Sequence, residues 1–352
     1  MVSRREVLGI AGVAAAWLGG PRAAHADATP DRTRLSGAPT AFALRMRAAR
    51  GGGQPFDIVE HCHRLGLGGV QTNPPSTDTD AIGKFRTRLE EYNLYLISDP
   101  RLPRQESDVP AFETQVKAFK EAGAIAFHAA MTGRRYEDFD ALDAWKKMFE
   151  QAQKSIALAE PVLRKHQVRL GIENHKGWRA AEQAAWLKRL SSEWVGVCLD
   201  FGNNISLCED PMDTAKMLAP YTVFAHIKDM GVEEYEDGFL LSEVVMGDGL
   251  LDLKGMVQLL RERDPKMVFA LEMITRDPLK IPVYTDKYWA TFDDTVSPLS
   301  GRDLAKVLNL VRRNRPKKPL PRIAGLGQAE QIQLEDDYNR KCIDYARQNL
   351  AM

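Results

Sequence analysis

The sequence predicts an α/β protein folded as a closed (β/α)8 barrel, the TIM-barrel architecture, and three observations carry that expectation. Eight short apolar runs recur along the chain, each followed by a stretch suited to a helix, as in repeated βα units on a parallel sheet. The runs are continuous, as expected of strands covered on both faces. Together they span roughly 240 residues, the size of a closed barrel. The rival, a doubly wound open sheet, calls for a G-x-G-x-x-G turn after its first strand. The chain offers only Gly51-Gly52-Gly53, which lacks that spacing and reads as a flexible loop.

The predicted elements follow in order. Ala41–Leu44 is the first run, and a helix over Pro55–Leu65 has proline in its first turn. Gly69–Gln71 is the second run, with a helix over Ala81–Tyr92. Leu94–Ile97 is the third, with a helix over Val109–Ala122. Ala124–Phe127 is the fourth, before a long helix over Tyr136–Lys165. Val168–Ile172 is the fifth, with a helix over Ala180–Leu190. Val195–Leu199 is the sixth, with a helix over Pro211–Leu218. Val223–Ala225 is the seventh; Gly231–Gly249 reads as an inserted extended loop, and Leu253–Arg263 as a helix. Val268–Leu271 is the eighth. Beyond it, the charged, proline-rich Arg312–Pro321 reads as a solvated connector, and Gln328–Asn349 as a helix on the barrel's outside.

The N-terminus reads as an address. Arg4-Arg5 precede a 12-residue apolar run, Val7–Leu18, and Ala24-His25-Ala26 fits a small-x-small cleavage site. The run is shorter than the ~20 residues a spanning helix needs. Twin arginines in this order suit export of an already folded protein, placing it in the periplasm or outside the cell without a stable membrane anchor. The expected divisions are a signal peptide over 1–26, a linker over 27–38, a metal-dependent barrel over 39–290 and a C-terminal extension over 291–352.

Composition narrows the function. Lysine plus arginine equal aspartate plus glutamate, 48 each, so no basic excess suggests a nucleic-acid surface. The hydrophobic and charged fractions, 44% and 27%, are those of a globular chain. Four cysteines are too few for a disulfide scaffold, and Cys62, Cys198, Cys208 and Cys342 read as packing residues.

Four successive runs end in a polar ligand-type residue: Glu173 in Gly171-Ile172-Glu173-Asn174-His175, Asp200 in Cys198-Leu199-Asp200, His226 in Ala225-His226-Ile227-Lys228, and Glu272 in Ala270-Leu271-Glu272. A charge placed directly after a buried strand is costly unless paired, metal-bound or exposed. In a barrel, the C-terminal strand tips ring one mouth, where active sites are built. Three carboxylates and an imidazole form a hard O/N ligand set suited to one divalent ion, with Mn2+, Mg2+ or Co2+ favoured and Zn2+ admissible.

These motifs, with Leu199-Asp200-Phe201-Gly202-Asn203, His226-Ile227-Lys228-Asp229, Gly247-Asp248-Gly249 and Leu271-Glu272-Met273, resemble those of the xylose isomerase-like barrel proteins over roughly residues 40–290. That family includes sugar isomerases and epimerases, inosose dehydratases and endonuclease IV. The resemblance implies that Glu173, Asp200, His226 and Glu272 hold the metal. It also implies that Glu173 and Glu272 exchange a proton next to a carbonyl through an enediolate. Asn203 stands where the family often has histidine, which leaves acid–base work to the glutamates. Seven histidines are too few for a three-zinc DNA-repair site.

The expected function is a divalent-metal-dependent sugar isomerase or epimerase. The alternatives are a lyase or dehydratase on keto-sugars, keto-inositols or 3-keto-glycosides, and a non-catalytic sugar-binding barrel. The expected partners are a small carbohydrate and the twin-arginine export machinery. His128 and Lys228 join the glutamates as candidate catalytic residues, one as hydrogen-bond or proton donor, the other against a developing oxyanion. His175, Asn203, Trp178 and Arg276 are candidate substrate contacts.

Overall fold

The computed structural model describes residues 33–292, 299–316 and 318–352. The signal-peptide expectation over 1–26 falls outside them, as does the start of the expected linker.

Eight parallel strands close into a barrel in the spatial order β1-β10-β7-β6-β5-β4-β3-β2. In chain order the elements are β1 (Leu35–Gly37), α1 (Ala43–Arg50), α2 (Ile58–Arg64), β2 (Gly69–Gln71), α3 (Thr79–Glu91), β3 (Tyr95–Ser98), α4 (Val109–Glu121), β4 (Ala124–Ala129) and α5 (Leu142–His166). Next come β5 (Leu170–Glu173), α6 (Ala180–Leu190), β6 (Val195–Asp200), α7 (Pro211–Leu218), β7 (Thr222–Ile227), β8 (Asp229–Tyr235), β9 (Gly238–Val244) and α8 (Leu253–Arg263). The chain ends with β10 (Phe269–Leu271), β11 (Leu279–Ile281), α9 (Asp286–Trp289), α10 (Gly301–Arg313) and α11 (Gln328–Asn349).

The helices begin where short polar side chains accept from their first free amides. Asp57 caps α2, Asp78 caps α3, Asp210 with Pro211 opens α7, Asp252 caps α8, and Ser300 with Asp303 boxes the start of α10. The strands obey a period of two. In β6, Val195, Val197 and Leu199 join the large core between sheet and helices, whereas Cys198 packs inside the barrel with Ile97, Ala126 and Phe224. The inner layer uses glycine where large rings need room. A Cβ on Gly69 would lie 2.4 Å from the Tyr95 ring, and one on Gly171 would lie 2.8 Å from the Phe224 ring.

Four expectations need correction. The first strand is Leu35–Gly37, inside the expected linker, while Ala41–Leu44 lies in a short 3-10 turn and the start of α1. A three-residue strand whose middle residue is the inward Ser36 gives no apolar run to read. Gly231–Gly249 is largely the β8–β9 hairpin, extended by β11 into a three-stranded antiparallel sheet. The long helix starts at Leu142, not Tyr136, whose ring is buried at 2% exposure. The tail gains α10, and Leu320, in the expected solvated connector, is buried.

Helix α11 is stitched to α1 and the turn before it. Glu335 of α11 accepts from the backbone N–H of Leu44 (2.7 Å) and Arg45 (3.1 Å) in α1. Asn339 donates to the carbonyl of Ala41 at 2.6 Å. All four cysteines are buried and free. Among the described residues, no helix is long and apolar enough to cross a membrane.

Candidate active site and metal centre

The period of two that puts Ile97, Ala126 and Cys198 inside the barrel puts Asp99, His128 and Asp200 one layer higher, at the C-terminal mouth. Glu173, Asp200, His226 and Glu272 converge there. Each offers a ligand atom, those atoms lie within 4.8 Å of one another, and all four residues are buried. They come from β5, β6 and β7 and from just beyond β10, four adjacent staves of the barrel. Two of their atoms, Asp200 Oδ1 and His226 Nδ1, are buried with no hydrogen-bond partner. Buried polar atoms are rarely left unmade, because each costs about 1–3 kcal/mol. Orphaned atoms within an O/N set of this size fit a divalent cation. A softer group, His128, Cys198 and His226, shares the imidazole of His226. Both ring nitrogens of His128 are already engaged, so the carboxylate-rich set is the better cation site.

The remaining staves orient these side chains. His226 Nε2 donates to Gln71 Oε1 (2.8 Å), and Gln71 Nε2 donates to Asp99 Oδ1 (2.9 Å). Asp99 Oδ1 lies 2.6 Å from His128 Nδ1, and His128 Nε2 lies 3.1 Å from Glu173 Oε2. Thr40 donates to Glu272 Oε1 at 3.0 Å. The Gln71 contact fixes the His226 proton on Nε2 and turns the Nδ1 lone pair toward the ligand set.

Charge is packed tightly at the mouth. Burial and the charge of Glu272 would raise the Glu173 carboxyl, but the hydrogen bond to His128 together with the charges of His175 and His128 holds it well below the usual range. Burial is likewise outweighed at Glu272, chiefly by the charge of Lys228, and its carboxyl is well below the usual range too. Asp200 moves the other way, raised by burial and by the charge of Glu272. Burial opposes protonation of His128, but the bonds to Asp99, Cys198 and Glu173 prevail and raise it well above an ordinary imidazole. His128 is thus a charged donor on both nitrogens, between two carboxylates.

The other predicted residues divide. Lys228 does not pair with Asp229; its Nζ donates to Asp200 Oδ2 (2.7 Å) and Glu272 Oε2 (2.5 Å). Asp229 instead clamps the loop after the hairpin, accepting from the amides of Gly247 (2.9 Å), Gly249 (3.0 Å) and Leu251 (3.1 Å). Asn203 donates to Glu173 Oε1 at 3.1 Å and also to Asp200 Oδ2. His175 lines the cavity and gives its Nδ1 proton to the Thr132 carbonyl at 2.6 Å. Burial lowers its pKa, so its other nitrogen is an acceptor. Arg276 lines the cavity while pairing with Glu243 at 2.6 Å. Trp178 is a correction: fully buried, it packs on Phe149 and Trp186 and does not line the cavity.

Thr40, Gln71, Asp99 and Lys176 escaped the sequence reading, although all four line the cavity. Gln71 and Asp99 were findable. Gln71 ends its run, and Asp99 follows its run by two residues, on the same face as Ile97. The cavity measures about 340 Å3 and shares Asp99, His128 and Ala130 with a neighbouring cleft of about 780 Å3.

A closed parallel barrel with a cation-type ligand set at its C-terminal mouth defines a class of metal-site barrels. Residues 59–290 match the xylose isomerase-like TIM barrel family, and the chain belongs to it. The chain is 29% identical over 106 residues to a 3-oxo-isoapionate decarboxylase of Pectobacterium atrosepticum, covering 30% of this chain and 38% of that protein. It is 22% identical over 219 residues to the uncharacterized protein YihM of Escherichia coli, covering 62% of this chain and 65% of that one. The matches thus span less than two thirds of either curated relative. Among solved structures, the 3-keto-D-glucoside 4-epimerase YcjR of E. coli superposes with a TM-score of 0.51 at 12% identity. That match covers 74% of this chain and 99% of the epimerase, and it speaks for the fold.

Proposed function

We propose that the chain is a divalent-metal-dependent enzyme that removes a proton next to the carbonyl of a sugar or keto-sugar, as an isomerase or epimerase does. One observation carries this: two ionised glutamates, Glu173 and Glu272, border a small buried cavity beside the orphaned atoms of Asp200 and His226. Glu173, Asp200, His226 and Glu272 would hold the ion, with Mn2+, Mg2+ or Co2+ favoured by the oxygen-rich set. When bound, it supplies Lewis-acid polarisation of the carbonyl and a neighbouring hydroxyl.

The protein's own groups do the rest. An ionised carboxylate can accept a proton, so Glu173 or Glu272 takes the one on carbon; the partner glutamate, ionised at rest, returns a proton to the opposite face only after receiving one, from the charged His128 in the case of Glu173 or from solvent in the case of Glu272. Lys228 sets a fixed positive charge near the developing oxyanion. His128, with Asp99 behind it, can pass a proton to or from Glu173 along its short hydrogen bonds. His175 accepts a hydrogen bond from a substrate hydroxyl.

The charged His128 favours a second reading as a lyase. An imidazolium beside the base can protonate a departing group, and the decarboxylase relative also cleaves a bond of an oxo acid by its name. Product analysis by NMR in D2O with the metal-loaded protein separates the two. Solvent deuterium at a retained carbon marks epimerisation; loss of a substituent marks elimination. No exchange with any keto-sugar, and no metal in protein purified without chelator, leaves only a sugar-binding barrel. We also propose export by the twin-arginine pathway, on the order of Arg4-Arg5, the apolar run and the cleavage pattern. Fractionation of cells making the full chain, with and without Arg4→Lys and Arg5→Lys, tests it.

A further inference from the structure

Lys176 is the anomaly of the mouth. It is 3% exposed and lines the cavity, yet no carboxylate lies within ion-pair distance of it among the described residues. Its hydrogen bond is to a neutral group, Asn203 Oδ1, at 2.6 Å, and an ammonium has three protons to give. The other cations of the cavity wall are matched. Lys228 lies on Asp200 and Glu272, Arg276 on Glu243, Arg134 on Glu137, and His128 on Asp99 and Glu173.

A buried charge without a partner is costly. Burial, with the nearby charge of Lys228, pushes this ammonium down to about 8 from an ordinary 10.5. No structural gain offsets that cost, since Asn203 is already tied to Glu173 and Asp200. With a divalent ion on the four ligand residues, the cavity would gain further positive charge. Glu243 and Asp200 attract this cation only from beyond ion-pair distance, so a cation facing a small cavity is left with room for an anion arriving with the ligand.

We propose that Lys176 is a specificity-determining residue that receives a carboxylate of the substrate, so that the substrate class is a keto-sugar acid and not a neutral keto-sugar. The proposal rests on the sugar-site reading above and deepens it.

The test compares two probes that differ only at one end, D-fructuronate and its neutral parent D-fructose. Each is titrated calorimetrically into Mn2+-loaded wild type, Lys176→Met and Lys176→Arg. Wild type is expected to bind the acid about tenfold or more tighter, the range of a charge-assisted hydrogen bond in a buried site. Lys176→Met should erase that preference and leave D-fructose binding within about threefold; Lys176→Arg should restore part of it. A preference that survives in Lys176→Met means the metal alone reads the carboxylate, and overturns the proposal. Equal loss of both probes means that Lys176 holds the common carbonyl end, and overturns it too. Wild type with no preference overturns it without any variant, should Lys176→Met fail to fold. The readout needs no turnover. Absent deuterium exchange would therefore sink the proton-abstraction reading and leave this one standing.

Discussion

The two halves of the barrel mouth do different work. Adjacent staves β5, β6, β7 and β10 present Glu173, Asp200, His226 and Glu272, the residues with metal-ligand chemistry. The other half, β4, β3, β2 and β1 with the turn after it, presents His128, Asp99, Gln71 and Thr40. Each of these hydrogen-bonds a member of the first set or another support. One half offers the lone pairs, and the other decides where they point. Ligand orientation is therefore a property of the whole ring, because His226 on β7 is aimed from β2 across the interior.

The largest effect that would sharpen this contrast lies in the ligand half. Glu173→Gln or Glu272→Gln is expected to cut deuterium exchange by about 10²–10⁴-fold, the usual worth of a positioned base. Wild-type exchange in either variant would break the assignment of bases. On the supporting half, Gln71→Leu leaves His226 Nε2 and Asp99 without their shared partner. It should weaken Mn2+ binding by about 10–100-fold, read by metal titration. Indifference to that change would dissolve the contrast, since β2 would then aim nothing. Asp99→Asn removes the charge behind His128 and is expected to lower the imidazole pKa, which NMR titration of the ring reports.

A smaller effect concerns Lys176. Its folded-state pKa is depressed, so the unfolded chain binds more protons between pH 8 and 10.5 and stability rises with pH across that window. Groups from several elements set this value: Lys228 and Arg276 lower it, and Glu243 and Asp200 raise it. Lys176→Met removes the buried charge and should raise the Tm at pH 7 by a few degrees, about 1–2 kcal/mol net of the lost bond to Asn203. A lower Tm in that variant would mean that the ammonium is structurally required.

Much of this was legible in the sequence because both signals are local. Helices α6, α7, α8 and α11 fall on their predicted limits, since caps and apolar spacing both point to the same ends. The four ligand-type residues stood out because each breaks an apolar run at its end. β1 was missed because a three-residue strand alternating Leu35 with Ser36 leaves no run. The hairpin β8–β9 reads as a loop in the sequence because its glycines, Gly231 and Gly238, interrupt the apolar Val232, Phe239 and Leu241, which are buried. α10 carried a readable start in Ser300 with Asp303, and apolar Leu304, Val307, Leu308 and Val311 behind it. Lys176 could not be read, because its meaning lies in the absence of a partner, and only three-dimensional neighbours reveal that.

The contact between α11 and α1 bears on timing. Thr40, which steadies Glu272, sits in a turn whose Ala41 carbonyl is held by Asn339, while the next amides, of Leu44 and Arg45, are held by Glu335. Those partners emerge from the ribosome some 290 residues after the segment they secure. A nascent chain can assemble most of its staves, but the turn that carries Thr40 is fastened only once α11 has been made, so a chain released before that point carries an unfinished barrel mouth.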